Sequence, residues 1–74
     1  MKHEIGEVVM ATIEMVNQCG YVAIAIASLD DGTMGSIQII GSPILEKKDK
    51  IRCVVTGHDR NRVELEPVAI EVIK

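Results

Sequence analysis

Apolar residues recur at every second position through most of this 74-residue chain, and Gly, Pro or charged residues interrupt them at short intervals. A period of two is that of a β-strand, whose side chains point alternately to opposite sides. Residues 21–28 show it most clearly, because branched side chains alternate there with Ala23, Ala25 and Ala27. No segment has a convincing helical period. The sequence therefore predicts an all-β fold.

Five segments are predicted to be strands, at residues 7–16, 21–28, 34–40, 51–56 and 62–66. One face of the first is expected to carry Val9, Ala11, Ile13 and Met15. Residues 30–33 predict a tight hairpin, since Asp31-Gly32 supplies the positive φ angles that such a turn needs. Residues 17–20 and 57–61 are expected to form the turns of the other two hairpins.

A break and a charged linker separate the third and fourth predicted strands. Pro43 has no amide proton and interrupts pairing, and residues 44–50 are predicted to be an exposed linker with an apolar anchor at its start. This arrangement predicts a single domain over residues 1–74, a small five-stranded barrel. The OB type is favoured, and an SH3-like barrel with a similar strand count remains an alternative. Residues 68–73 are expected either to add an edge strand or to lie along the barrel.

Charge and aromatic content weigh against a polyanionic partner. The formal net charge is -3 and the one aromatic residue is Tyr21, whereas phosphate and anionic membranes attract excess Lys and Arg. No apolar run approaches the ~18 residues that span a bilayer, and the N terminus lacks the order of a signal peptide. We expect a soluble chain, either complete in itself or a soluble piece of a larger protein.

Few residues point to chemistry. Cys19 and Cys53 are too few for a disulfide framework or a metal site, and their small or apolar neighbours favour two buried, reduced thiols over a single bridge. His58 beside Asp59 is typical of a turn, and His3 has no nucleophile next to it in the sequence. We expect no catalytic residue, metal, cofactor or small-molecule substrate.

The acidic residues near the C terminus have a structural explanation. Glu64 and Glu66 are expected on the outward face of a strand whose Val63 and Leu65 point inward. Such a pair keeps a half-buried strand in contact with water and is not a paired acid and base.

Residues 41–55 (GSPILEKKDKIRCVV), a polar turn, and residues 62–68 (RVELEPV) resemble the C-terminal soluble OB-fold domain of NfeD-like membrane proteins. The early strand running into Gly20-Tyr21 is also similar, so the resemblance covers most of the chain through loose motifs. Lys48 stands where that family usually has Gly in the charged turn. The resemblance implies a domain that is tethered to a membrane in the full-length protein and docks onto stomatin- or flotillin-type partners. Without a tether, a cytoplasmic location is expected.

A second resemblance is to RNA-binding OB modules of ribosomal proteins and to the TRAM module of RNA-modifying enzymes. Residues 34–38 and 48–52 fall where those modules have a Gly-apolar-His segment and a strand start. Cys19 and Val22 stand where aromatic residues are expected, and Gln38 stands where His is expected. The alternative function is therefore a small RNA-binding protein that acts with Tyr21 through a basic rim, namely Lys47, Lys48, Lys50, Arg52, Arg60 and Arg62.

The favoured function is a non-catalytic interaction module, for which a protein partner or self-association is more plausible than nucleic acid. The candidate surface is a flat apolar patch that a second β surface or a helix could cover. Equally, its members could complete the barrel core. They are Met10, Tyr21, Ala23, Ala25, Ala27, Met34 and Ile39.

Overall fold

The computed structural model describes residues 3–41 and 45–73, the last five of them by backbone alone. Five strands account for most of these residues: β1 Val8–Cys19, β2 Val22–Ser28, β3 Met34–Ile40, β4 Lys50–Asp59 and β5 Arg62–Ile73. No helix occurs within the described ranges. The all-β prediction is confirmed.

The strands close into one barrel in the order β1-β2-β3-β5-β4. Every neighbouring pair is antiparallel except β3 and β5, which run parallel. β1 closes the barrel because its first half pairs with β4 and its second half with β2. A five-stranded closed barrel of this kind belongs to the OB type, the favoured prediction.

A β-bulge in β1 changes which side chains face inward. Ile13 pairs with Ala27 and Met15 with Ile26, so one extra residue lies between them. Ala11 and Ile13 are fully buried, while Met15 is 62% exposed and Val16 packs against the core instead. The prediction that Met15 shares one face with Ala11 and Ile13 is wrong because an extra residue shifts the alternation by one.

Two predicted turns are shorter in the structure. Residues 17–19 belong to β1 and pair with β2, so that only Gly20 and Tyr21 connect the strands. Asp59 likewise pairs with Arg62 across Arg60-Asn61. Gly20 has φ 61° and Arg60 has φ 56°, the left-handed backbone that tight hairpin connections use. The predicted turns at residues 17–20 and 57–61 were too long because polar residues continue both ladders.

The linker before β4 is attached to the β1 bulge. The amide of Ile13 donates to the carbonyl of Asp49 at 2.7 Å, and the amide of Lys48 donates to the carbonyl of Ile13 at 2.6 Å. The charged residues 46–48 and 50 are exposed, as predicted for the linker. Asp49 is the exception, since it is buried and its carboxylate accepts from the amide of Glu46 at 2.9 Å. Lys48 has φ 78°, so it adopts the backbone that glycine favours.

Parts of the linker prediction cannot be compared. The predicted break at Ser42-Pro43 and the anchor Ile44 lie outside the described residues. The next residue, Leu45, is partly buried against the core, as expected of an apolar anchor. The tail 68–73 continues β5 along the barrel, with Ile73 paired to Lys50 of β4.

The core is built mostly from aliphatic side chains of all five strands. Its largest fully buried members are Ile13, Ile37, Val55, Val63 and Cys53. A fully buried side chain of this size contributes roughly 1.5–3 kcal/mol. Gly35 is also buried, and a Cβ on it would come within 2.5 Å of Leu65 Cδ1, so β3 and β5 approach closely there.

The two cysteines differ in environment. Both thiols are free, but only Cys53 is buried, where burial raises the pKa of its thiol to about 11. Cys19 is exposed at the end of β1. The prediction of two buried thiols is thus wrong for Cys19, because the longer β1 carries it out of the core to the hairpin end.

Candidate interaction surface

The outward side of β1, β2 and β3 carries large apolar side chains. After the bulge, Met15 of β1 pairs with Ile26 of β2, and Val22 of β2 pairs with Ile40 of β3. Ile24 is 46% exposed, Ile40 80% and Tyr21, in the β1–β2 turn, 81%. We name this surface the outer apolar face. Its residues are Met15, Tyr21, Val22, Ile24, Ile26 and Ile40.

Strand β2 therefore points its small side chains inward and its bulky ones outward. Ala23, Ala25 and Ala27 are fully buried, whereas Ile24 is exposed and Val22 and Ile26 are partly so. The interior of a small barrel has little space, and bulky residues on neighbouring strands fill it here. The alanine side of this strand is core.

The predicted flat patch is therefore not formed. Its three alanines are buried, and Ile39 is only 5% exposed, so these four residues complete the barrel core. Met10 and Met34 are partly buried. Tyr21 is the one member that is highly exposed. For the three alanines and Ile39, the alternative prediction that they complete the barrel core is the one that the structure supports.

An open cleft borders the outer apolar face. Its volume is about 500 Å³, within the usual range of ligand sites, about 300–1,000 Å³. Ile24 and Ile40 line it from β2 and β3, and Glu64 and Glu66 line it from β5. The described residues that line the cleft include no Lys or Arg. One side of the cleft thus combines two exposed isoleucines with the polar Ser36 and Gln38, and the other side carries two carboxylates.

The cleft forms where β3 and β5 separate. Their parallel ladder runs from Met34 and Arg62 to Ile37 and Leu65, and β3 continues to Ile40. Glu64 and Glu66 are exposed and Val63 and Leu65 buried, as their alternation predicted. Sequence reasoning missed that these carboxylates face two exposed isoleucines across a cleft.

The six basic residues do not form one rim. Lys50 and Arg52 lie at the start of β4, with Lys47 and Lys48 just before it in the linker. Arg60 and Arg62 lie at its far hairpin. The residues from Arg52 to Arg60 span about 25 Å of extended strand. Lys48 is moreover paired with Glu14, Nζ to Oε1 at 3.2 Å. The expectation of a local basic rim fails because β4 is longer than predicted.

A polar cluster at the opposite end of β2 was not predicted. His3 Nδ1 lies 2.7 Å from Glu7 Oε2, and His3 Nε2 lies 2.9 Å from Asp31 Oδ2 in the β2–β3 hairpin. His58 Nε2 in β4 donates to the carbonyl of His3 at 2.6 Å. We call this the His3 clasp. Its members are up to 55 residues apart in sequence, so no local motif could reveal it.

The clasp shifts the protonation of its members. The hydrogen bond to Glu7 is the main cause that raises the pKa of His3 above 6.5; desolvation opposes it and the bond to Asp31 adds to it. The bond with His3 is also the main cause that lowers the pKa of Glu7. Hydrogen bonds from Thr33, and then from His3, lower the pKa of Asp31 to about 2. Both ring nitrogens of His3 donate to carboxylates, so the charged form of the ring fits this geometry.

A second ionised group lies at the β1 bulge. Glu14 Oε2 accepts from the Ser28 hydroxyl at 2.7 Å, and Glu14 Oε1 accepts from Lys48 Nζ. These bonds, with Ser28 first, lower the pKa of Glu14. Because they link β1, β2 and the linker, they hold the bulge that turns Met15 outward.

The chain matches no protein-family model, no curated protein and no solved structure at a significant level. In the described part of the chain, no group of three or more His, Cys, Asp or Glu residues is arranged to hold a metal ion. The same residues contain no helix long and apolar enough to cross a membrane.

Proposed function

We propose that this protein is a non-catalytic interaction module that binds a protein partner through the outer apolar face and the cleft beside it. The observation that carries the proposal is the orientation of β2, whose Ile24 is exposed beside an even more exposed Ile40. Exposed apolar groups that adjoin one another on a soluble domain are typical of interaction sites.

The size of the chain strengthens this argument. A 74-residue domain has a small core. Each large aliphatic side chain that stays exposed therefore gives up a contribution to the free energy of folding that so small a domain needs. Single exposed apolar residues are ordinary in any protein. Here several adjoin one another on three neighbouring strands, and burial against a partner would recover the free energy of their desolvation.

The partner follows from resemblance. We propose that the domain belongs to an NfeD-like membrane protein, is tethered to a membrane in the full-length protein, and docks onto a stomatin- or flotillin-type protein. The loose motifs at residues 41–55 and 62–68 support this identification. The acidic side of the cleft adds a requirement, since Glu64 and Glu66 favour a partner surface that carries basic side chains.

Calorimetric titration with the soluble domain of a stomatin-type protein from the same organism tests the proposal. Ile24→Ser and Ile40→Ser should each weaken binding at least about tenfold, which is about 1.4 kcal/mol. Val8→Ser is the matched control, because Val8 is 57% exposed but lies where β1 pairs with β4. Equal losses for all three variants would contradict docking on this face, and absence of binding by the parent would contradict the partner.

RNA binding is a second candidate because of where two groups lie. OB folds bind oligonucleotides on the β2–β3 side, between the β1–β2 and β4–β5 loops. Tyr21 projects from the first loop at 81% exposure, and Arg60 lies in the second. A single aromatic ring contributes about 1–3 kcal/mol per stacked base.

Amide chemical shifts measured during titration with mixed single-stranded RNA, at low and at physiological salt, distinguish the two functions. RNA binding predicts salt-sensitive shifts at Tyr21 and Arg60 that Tyr21→Ala abolishes. Unchanged spectra at low salt would eliminate this candidate.

A further inference from the structure

The cleft is a trough whose floor is strand β3. Ile37 and Leu65, the last pair of the parallel ladder, lie buried at its base. Ser36 and Gln38, the outward residues of β3 on either side of Ile37, also line it. Because β2 and β5 flank β3 in the barrel, their outward side chains form the two walls. Adjacent strands are about 4.8 Å apart, so these walls are roughly 10 Å apart.

The two walls differ in chemistry, and each repeats at a similar spacing. Ile24 on β2 pairs with Gln38, two residues before Ile40 on β3, so the two isoleucines are diagonal neighbours about 7–8 Å apart. Glu64 and Glu66 are two residues apart on the outward side of β5, which separates them by about 7 Å. The cleft therefore presents one pair of apolar groups and one pair of carboxylates.

The carboxylates are available to a cationic ligand. The ion pairs between described side chains involve neither Glu64 nor Glu66. Oε2 of Glu64 lies over Gly57 of β4, 2.9 Å from where a Cβ would stand, so β4 places no side chain in its way. Arg62 is exposed two residues before Glu64, but the described lining of the cleft does not include it. A ligand with two basic groups would thus meet complementary charge.

The spacing of the walls favours a helix over a strand. A strand that lies along β3 points every second side chain away from the domain, so a single line of side chains faces it and does not reach both walls. An α-helix is about 10–12 Å across and can carry apolar and charged residues on neighbouring flanks. Its side chains one turn apart are about 5–6 Å apart, close to the spacing within each wall.

We propose that the cleft binds an amphipathic α-helix of the partner protein, with an apolar flank against Ile24 and Ile40 and a Lys or Arg flank against Glu64 and Glu66. This inference rests on the proposed function and specifies which kind of element the partner inserts. Docking of a helix in a groove is a recurrent mode of protein recognition. A second copy of this chain is a poorer occupant, because its described residues contain no helix.

A synthetic peptide of about 15 residues, long enough to form a helix, tests the inference. The peptide carries Leu on one flank and Lys on the next, both at helical spacing, with Ala elsewhere. NMR shifts of the labelled domain should change at Ile24, Ile40, Glu64 and Glu66, and the helical circular dichroism of the peptide should rise on binding. Absence of binding, or shifts confined to residues outside the cleft, would overturn the inference.

Three control peptides separate helical shape from composition and charge. One has the same residues reordered so that Leu and Lys alternate with the period of a strand, the second has Glu in place of Lys, and the third has a central Pro, which breaks the helix. Each should bind at least about tenfold more weakly than the parent peptide. Equal affinity of the parent and any one of these peptides would overturn the inference.

A pair of matched variants tests the carboxylates. The double variant Glu64→Gln with Glu66→Gln should weaken binding of the Lys peptide at least about tenfold. Its control, Asp30→Asn with Glu46→Gln, removes two exposed carboxylates that do not line the cleft and should change the affinity less than about twofold, because salt screens distant charges. Equal losses for both double variants would overturn the inference, since net charge alone would then explain the binding.

The same variants separate this inference from the proposed function. If the stomatin-type domain binds the outer apolar face but neither competes with the Lys peptide nor weakens with Glu64→Gln and Glu66→Gln, docking stands and helix binding is overturned. If the Lys peptide binds in the cleft and that domain does not bind, helix binding stands without this partner.

Discussion

Strands β2 and β5 bury opposite kinds of side chain. β5 follows the ordinary rule, with Val63 and Leu65 inside and Glu64 and Glu66 outside. β2 buries its alanines and exposes Ile24. The comparison shows that alternation divides a strand into two faces, but chooses the inner face only where one of them is polar. A strand with two apolar faces is assigned by the space available inside the barrel.

The largest expected loss of stability comes from a substitution in β5. Leu65→Ala removes a buried side chain, 4% exposed, from the contact between β5 and β3, and should lower the free energy of unfolding by about 3 kcal/mol. Urea unfolding measures this loss. Glu66→Ala is the control, because it changes an outward residue of the same strand and should cost less than about 0.5 kcal/mol. Comparable losses for both variants would contradict the assigned faces of β5.

The same test on β2 should give the reverse of what residue size suggests. Ala25→Ile enlarges a fully buried residue and should destabilise by about 2 kcal/mol through overpacking. Its control Ile24→Ala shrinks a 46% exposed residue and should cost less than about 1 kcal/mol. Urea unfolding measures both losses. A larger loss for Ile24→Ala than for Ala25→Ile would contradict the assigned faces of β2.

A smaller loss of stability is expected where β3 and β5 approach closely, at Gly35. A Cβ on Gly35 would lie 2.5 Å from Leu65 Cδ1 and 3.1 Å from Val63 Cγ2. Gly35→Ala should therefore cost about 1 kcal/mol. Most of that cost should vanish in a Leu65→Ala background, where the nearer clashing group is absent. A double-mutant cycle measures the coupling, and strict additivity would contradict the close approach.

The stability that the His3 clasp contributes should depend on pH. Asp31, after β2, is bonded to the His3 side chain, whereas His58, before β5, bonds the His3 main chain. The raised pKa of His3 stabilises the fold below 6.5, and this is lost as pH rises through the raised value. The lowered pKa of Glu7 stabilises above 4.5, and this is lost as pH falls through the lowered value.

The His3 clasp should therefore be tightest between about pH 4.5 and 6.5. Exchange of the Gly6 amide, which is bonded to Val55, should accelerate on either side of this window. His3→Gln should abolish the alkaline arm. A Gly6 exchange rate that follows only the ordinary base catalysis of exchange, in both the parent and His3→Gln, would show that the clasp does not form.

Much of the fold could be predicted from the sequence because its strands alternate cleanly. Strand β3 was predicted at its observed bounds, and Val63 and Leu65 were correctly placed inside. Met15 was misplaced because the bulge is a feature of how β1 pairs with β2 and with the backbone of the linker, residues far apart in sequence. Ladder lengths likewise depend on the partner strand, which explains the short prediction for β4.

The candidate site was only partly predictable. The sequence drew attention to the alanines of β2 and to Tyr21 as the one aromatic residue. Which side of a strand with two apolar faces points inward, however, depends on the volume that the other strands fill. The available signal for the outer apolar face was in β2, where bulky branched side chains alternate with alanines that fit a narrow barrel interior. The cleft lies where β3 and β5 separate, and the available signal there was Pro67, which follows the last paired residue Leu65 by two positions and has no amide proton to continue the ladder.

Methyl relaxation by a soluble gadolinium chelate tests the orientation of β2 most directly. In a sample labelled at alanine and isoleucine methyl groups, the account predicts strong broadening at Ile24 and Ile40. The methyls of Ala23, Ala25 and Ala27 should be as protected as those of Ile13 and Ile37, which are fully buried. Broadened alanine methyls beside protected Ile24 would contradict the account and remove the outer apolar face on which the proposed function depends.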